Sequence, residues 1–196
     1  MGKIKSALEI ALERTESVKG DKGSIGQFES KQKGKRLANC FLEGTVKSLE
    51  EEIKKSSSAE ERPSLRQGIF DVLTSQITLP ATKDDLKRIE TACQGLNTII
   101  GEKRFAEIVR QLVQILGQFL EDMAQYEETI KRQYAPKLRH KEEELSRRLG
   151  RQVKIDPFQD PEFVAFFSQN MNSIKANYQT AVDQVREEAL NLFKAS

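Results

Sequence analysis

The stretch Phe105–Ile130, FAEIVRQLVQILGQFLEDMAQYEETI, decides the fold class. Its apolar residues alternate steps of four and three along the chain, at Phe105, Val109, Leu112, Leu116, Phe119, Met123, Tyr126 and Ile130. This spacing is typical of an α-helix whose single apolar stripe packs in a coiled coil or helical bundle. Further apolar residues widen the stripe at Ile108, Val113, Ile115 and Leu120, which predicts that this part lies inside a bundle and contacts more than one neighbouring helix.

The last helix is predicted by its start signal and by a second stripe. Asp160 followed by Pro161 is typical of an N-cap with proline in the first turn. The stripe then runs through Val164, Phe167, Met171, Ile174, Tyr178, Ala181, Val185, Ala189 and Leu192. We therefore predict an all-α fold: a helical bundle with a long antiparallel helical hairpin, a coiled-coil-like arm formed by the last two helices, 102–149 and 161–195.

The segment after Ile130 has a narrower apolar stripe, at Tyr134, Leu138, Leu145 and Leu149. A stripe this narrow covers one partner helix, so we expect the hairpin to project here. Pro136 removes a backbone hydrogen bond and predicts either a kink or a break near Ala135. As domain organisation we expect a single helical domain over residues 1–196, with a body of 1–130 plus 165–196 and a projecting hairpin tip of 131–164.

Earlier helices are predicted at 3–18, at 28–55 and from Pro63 to Leu79. Pro80 disfavours a helical residue before it and so ends the third of these helices. Thr82 with Asp85 three residues later forms an acidic variant of the capping box, and Gly101 marks the end of the helix that follows.

Composition excludes several classes of function. The chain has one histidine and two cysteines, too few for a usual four-ligand zinc site built from its own residues, and no phosphate-binding loop motif is present. We expect no metal, no cofactor and no enzymatic activity. Cys40 and Cys93 lie at inward helical positions, and no apolar run approaches the length of a membrane span. These features predict a reduced, cytoplasmic protein without a transmembrane segment.

Positive charge is concentrated in one segment of a chain whose net charge is only +2. Nine lysines and arginines face three glutamates between 131 and 154, and they define a candidate basic interaction surface of Lys131, Arg132, Lys137, Arg139, Lys141, Arg147, Arg148, Arg151 and Lys154. Such a surface attracts phosphates, anionic lipid or an acidic protein face. The alternative is a solvated helix with internal pairs, Glu143 with Arg147 and Glu144 with Arg148.

No motif specifies a biochemical activity. We therefore expect a non-enzymatic helical scaffold or adaptor that acts through protein–protein interaction and self-association, as a homodimer or with a protein partner, because a lone two-helix arm leaves apolar edges exposed. The alternative is nucleic-acid or anionic-surface binding through the basic arm 131–154. No aromatic ladder for stacking bases accompanies the charge, which favours the protein partner.

Overall fold

A computed structural model describes residues 22–56 and 58–196 of the chain, and all the regular structure in this range is helical. The helices are α1 (Lys22–Leu42), α2 (Leu49–Ser56), α3 (Arg62–Ser75), α4 (Lys83–Ile100), α5 (Lys103–Leu149) and α6 (Pro161–Ala195), with a 3-10 turn at Pro157–Gln159. The predicted all-α class is confirmed. The predicted helix at 3–18 lies outside the described residues. None of the described helices combines the length and the apolar character needed to cross a membrane.

Contacts divide the chain into two compact units, one up to Ser75 and one from Gln76 to Ser196. The first unit contains α1 to α3, and the second contains α4 to α6. The single domain with a body and a tip stays a prediction.

The first unit is held by a close crossing of α1 and α3. A Cβ atom built on Gly34 would lie 2.1 Å from the carbonyl oxygen of Leu65, and one built on Gly68 would lie 2.1 Å from that of Lys31. The two backbones therefore touch at a point where only glycine fits on either helix. Ser30 and Ala38, one turn before and after Gly34, are 1% and 0% exposed, so small residues line this face of α1.

The predicted helix at 28–55 is wrong in one respect, because it is divided into α1 and α2. Gly44 has a φ of 77°, a left-handed conformation that ends the first helix. The hydroxyl of Thr45 then donates to the carbonyl oxygen of Cys40 at 2.7 Å and closes the turn. The third predicted helix also ends earlier than expected, at Ser75.

Local start and stop signals of the second unit act as predicted. At the start of α4 the amide of Asp85 donates to the Thr82 hydroxyl at 3.1 Å, and the Asp85 carboxylate accepts from the Thr82 amide at 2.8 Å. Gly101 follows α4 with a φ of 75°. Asp160 caps α6 by accepting from the amide of Glu162 at 3.1 Å.

Helix α5 is continuous over 47 residues, about 70 Å at 1.5 Å per residue. It passes through Pro136 and is not broken at Ala135. Most of the predicted stripe is buried, at Phe105, Val109, Leu112, Leu116, Phe119 and Ile130. Two predicted inward positions are wrong: Tyr126 is 48% exposed and Ile115 is 39% exposed. Both lie outside the strip that α4 and α6 cover.

Helix α6 packs along α5, and three contacts fix how they meet. Arg104 pairs with Glu188 at 3.1 Å, the rings of Phe119 and Tyr178 have centroids 5.0 Å apart, and the Tyr134 hydroxyl donates to Asp160 at 2.9 Å. Successively later residues of α5 therefore meet successively earlier residues of α6. A buried cluster lies at the later end, composed of Ile130, Tyr134, Phe163 and Met171.

Candidate functional site

The nine residues of the basic surface lie on the last part of α5 and on the connection to α6. Seven are exposed, whereas Lys131 and Lys141 are half-buried. Five of the nine form ion pairs: Lys131 with Glu127, Lys137 with Glu162, Lys141 with Asp160 and Glu162, Arg147 with Glu143, and Arg148 with Glu144. The internal pairing of arginine with glutamate, foreseen as the alternative, is therefore present.

Four cations of the surface are left: Arg132, Arg139, Arg151 and Lys154. All four are exposed, and none forms an ion pair with another residue in the described ranges. They are the members of the basic surface whose charge remains available to an external anion.

Lys141 is the member that the structure ties most closely to α6. Its ammonium lies 2.9 and 2.8 Å from the two carboxylate oxygens of Asp160 and 2.8 Å from a carboxylate oxygen of Glu162. Lys137 lies 2.8 Å from the same oxygen of Glu162. Hydrogen bonds from Lys137 and Lys141 lower the pKa of Glu162 from 4.5 to about 2, and that of Asp160 is also lowered, chiefly by its bond to Lys141. Two cations of the basic surface therefore hold the start of α6 against α5 through ion pairs.

The sequence does not reveal this cluster, because the acids lie 19 and 21 positions from Lys141. Asp160 with Pro161 predicts a helix start, but no local pattern connects Asp160 or Glu162 to lysines on the preceding helix. With Asp156, Asp160 and Glu162 included, the segment 131–162 holds nine cations and six acids, a net charge of +3 instead of +6. The electrostatic field of this segment is therefore weaker than the charge of residues 131–154 alone implies.

An aromatic cluster packs beside these charges. Phe158, in the 3-10 turn, is 50% exposed and makes edge contacts with Phe163 and Phe167 at centroid distances of 5.3 and 5.4 Å. The ammonium of Lys131 lies 6.0 Å from the centroid of the Phe158 ring. Phe158 is the exposed ring of this cluster, and a single exposed ring does not form a ladder on which successive bases could stack.

A groove runs between α5 and α6 at the opposite end of the pair. It encloses about 300 Å³ and is lined by the apolar side chains Ile108, Leu112, Ile115, Ala181 and Val185. Gln111, Gln184 and Glu188 border it, and Glu188 is the partner of Arg104. The sequence pattern identified Ile108 and Ile115 as apolar but assigned them to the interior.

The described residues contain no group of three or more histidines, cysteines, aspartates or glutamates placed to hold a metal ion. In the same part of the chain Cys40 and Cys93 are both free thiols. Burial raises the pKa of Cys93 to about 12, so this thiol stays protonated and is a poor nucleophile and metal ligand. The lack of enzymatic activity stays a prediction.

In a comparison with known protein families, one family model matches residues 50–191 of this helical chain. The chain belongs to this family, which is described as a family of unknown function (DUF6657). No curated protein and no solved structure matches the chain.

Proposed function

We propose that this protein is a non-enzymatic scaffold or adaptor that acts through protein–protein interaction and self-association. In this proposal α5 and α6 form an antiparallel, coiled-coil-like hairpin, and two copies meet along it. The observation that carries the proposal is the apolar groove between the two helices, in which Ile115 is 39% exposed. A cytoplasmic location fits the two free thiols.

A second copy of the chain is the occupant that fits this groove best. Two paired helices bury the stripes that face each other and leave their outer edges in water, and two such pairs complete a four-helix arrangement. The glutamines that border the groove are uncharged, and Glu188 is already paired with Arg104. A symmetric contact therefore brings no unpaired like charges together at the centre.

Sedimentation velocity over a range of concentrations tests this proposal. We expect the wild-type mass to rise from 22.3 kDa towards twice that value, and Ile115→Glu to remain at the mass of one chain. Gln114→Glu is the matched control, because it adds the same charge at the adjacent exposed position outside the groove. A wild-type protein that stays a monomer at every concentration would refute self-association, and circular dichroism checks that both variants remain helical.

Nucleic-acid or anionic-surface binding through 131–154 is the second candidate. The four exposed cations without ion pairs among the described residues favour it: Arg132, Arg139, Arg151 and Lys154. Replacing all four by alanine should weaken retention on heparin and duplex DNA, and it should reduce the slope of log affinity against log salt by up to about 4. The control replaces Arg147 and Arg148 by alanine. Each of these arginines already forms an ion pair with a glutamate, so their loss should weaken retention less. Failure of the wild type to bind either matrix at low salt would exclude this function.

A further inference from the structure

An apolar cavity lies in the unit formed by Gln76 to Ser196. It encloses about 500 Å³ between α5, α6 and the segment that leads into α4. Phe119 and Met171, which are buried, and Met123, which is half-buried, line it from α5 and α6. Leu79 and Pro80 line it from the segment before α4. Its volume falls within the range of about 300 to 1,000 Å³ that is usual for small-molecule sites. The two methionines have flexible thioether side chains that adapt to the shape of an apolar ligand.

The mouth of this cavity carries an available positive charge. Lys175 lies one helical turn after Met171 on α6, is exposed, and forms no ion pair with the residues that the structure describes. Glu127, the acid at the mouth, is 2.7 Å from the ammonium of Lys131 and is therefore neutralised. An anionic group at the mouth would find a cation in Lys175 and no uncompensated carboxylate to repel it.

A second cavity of about 580 Å³ lies between α4 and α5, and Leu120 and Ala124 line both cavities. Four charged residues also line the second cavity, Lys83, Lys87, Glu90 and Glu121, so its lining is not apolar throughout. The first cavity has two charged lining residues, Glu127 and Lys175, and Glu127 is paired with Lys131. An apolar cavity with one available cation at its mouth fits an apolar chain that ends in an anion.

We propose that the first cavity binds a linear alkyl carboxylate of the fatty-acid class. The carboxylate pairs with Lys175, and the alkyl chain lies over Met171, Phe119 and Met123. This site goes beyond self-association and does not depend on it, because the groove that carries Ile115 shares no residue with either cavity.

Isothermal titration calorimetry on the full chain tests the proposal with dodecanoate and with dodecanol, each below the concentration at which it aggregates. We expect dodecanoate to bind with one molecule per chain. Lys175→Gln should weaken dodecanoate about two- to fivefold, as for an exposed ion pair, and should leave dodecanol unchanged. Lys194→Gln is the matched control, because it removes the same charge from an exposed position elsewhere on α6 and should change neither affinity.

A second pair of variants tests the apolar cavity. Ala124 is exposed and lines this cavity, so Ala124→Trp should fill it and abolish binding of both ligands. Ala176→Trp places the same side chain at an exposed position of α6 that lines neither cavity, and it should bind as wild type. The proposal is overturned if dodecanoate does not bind, if Lys175→Gln binds it with wild-type affinity, or if Ala124→Trp retains binding while circular dichroism shows it folded.

Discussion

Replacing Gly34 by alanine should destabilise the first unit, although alanine is the better helix former. The added Cβ would lie 2.1 Å from the carbonyl oxygen of Leu65 and 3.1 Å from the amide nitrogen of Ile69. Contacts of real Cβ atoms are essentially never shorter than 3.0 Å, so α1 and α3 must separate by roughly 0.9 Å at their crossing. Backbone atoms of a helix cannot rotate away as the end of a side chain can.

The expected cost follows from two opposed effects. Inserting a methyl group into a tight contact costs about 1 to 3 kcal/mol, and a clash with backbone belongs at the upper end of that range. Replacing a helical glycine by alanine returns about 1 kcal/mol of helix propensity. We therefore expect Gly34→Ala to lower the free energy of unfolding of this unit by about 2 kcal/mol.

Gly26→Ala is the matched control on the same helix. A Cβ at Gly26 would have nothing within 4 Å, so only the propensity effect remains and the unit should gain up to about 1 kcal/mol. Hydrogen exchange of the amides in α1 and α3, with urea denaturation followed by circular dichroism, measures both changes. Equal stabilisation by the two alanines would refute the close crossing.

Other expected outcomes concern the second unit. Leu116→Ala removes a fully buried side chain and should lower the free energy of unfolding by about 2 to 5 kcal/mol. Leu145 is 37% exposed, so its replacement by alanine should lower that free energy by no more than about 1 kcal/mol. Urea denaturation measures both changes, and equal losses would contradict the difference in burial. Amides of Phe105–Met123 should exchange more slowly than those of Arg139–Arg151, and equal protection would mean that an interface covers the second segment. The first turn of α6 should lose stability as the pH falls from about 4.5 towards 2, because the lowered pKa of Glu162 means that the unfolded chain takes up its proton first. Amide exchange of that turn against pH measures this loss, which should be smaller in Lys137→Met; an unchanged pH dependence in that variant would argue against the ion pair.

Features encoded within a few residues could be predicted from the sequence. Two helix starts depend only on backbone groups two or three positions away: the capping box of Thr82 and Asp85, and the start of α6 at Asp160 and Pro161. The residue types at these positions therefore predict them. The buried stripe of α5 follows in the same way from a spacing that repeats along one helix. The break at Gly44 was missed because apolar residues on both sides keep a helical spacing across it.

Features that depend on two distant segments could not be predicted. The crossing of α1 and α3 requires Gly34 and Gly68 to meet, and the signal that was available, Ser30, Gly34 and Ala38 at four-residue steps, indicates close packing without naming the partner. The ion pairs of Lys137 and Lys141 require the connection after α5 to bring Asp160 and Glu162 back beside that helix. The exposure of Ile115 likewise depends on which side of α5 the neighbouring helices cover, and a one-dimensional pattern does not contain that choice.

The crossing of α1 and α3 also bears on how recombinant fragments of this chain should be cut. The family match spans 50–191, so a fragment with those limits keeps α3 and loses α1. The backbone of α3 from Leu65 to Ile69, which now lies against Gly34, would be opened to water together with the apolar side chains packed around it. Such a fragment would be prone to aggregate, and boundaries that retain Lys22–Leu42 preserve the helix pair as it folds.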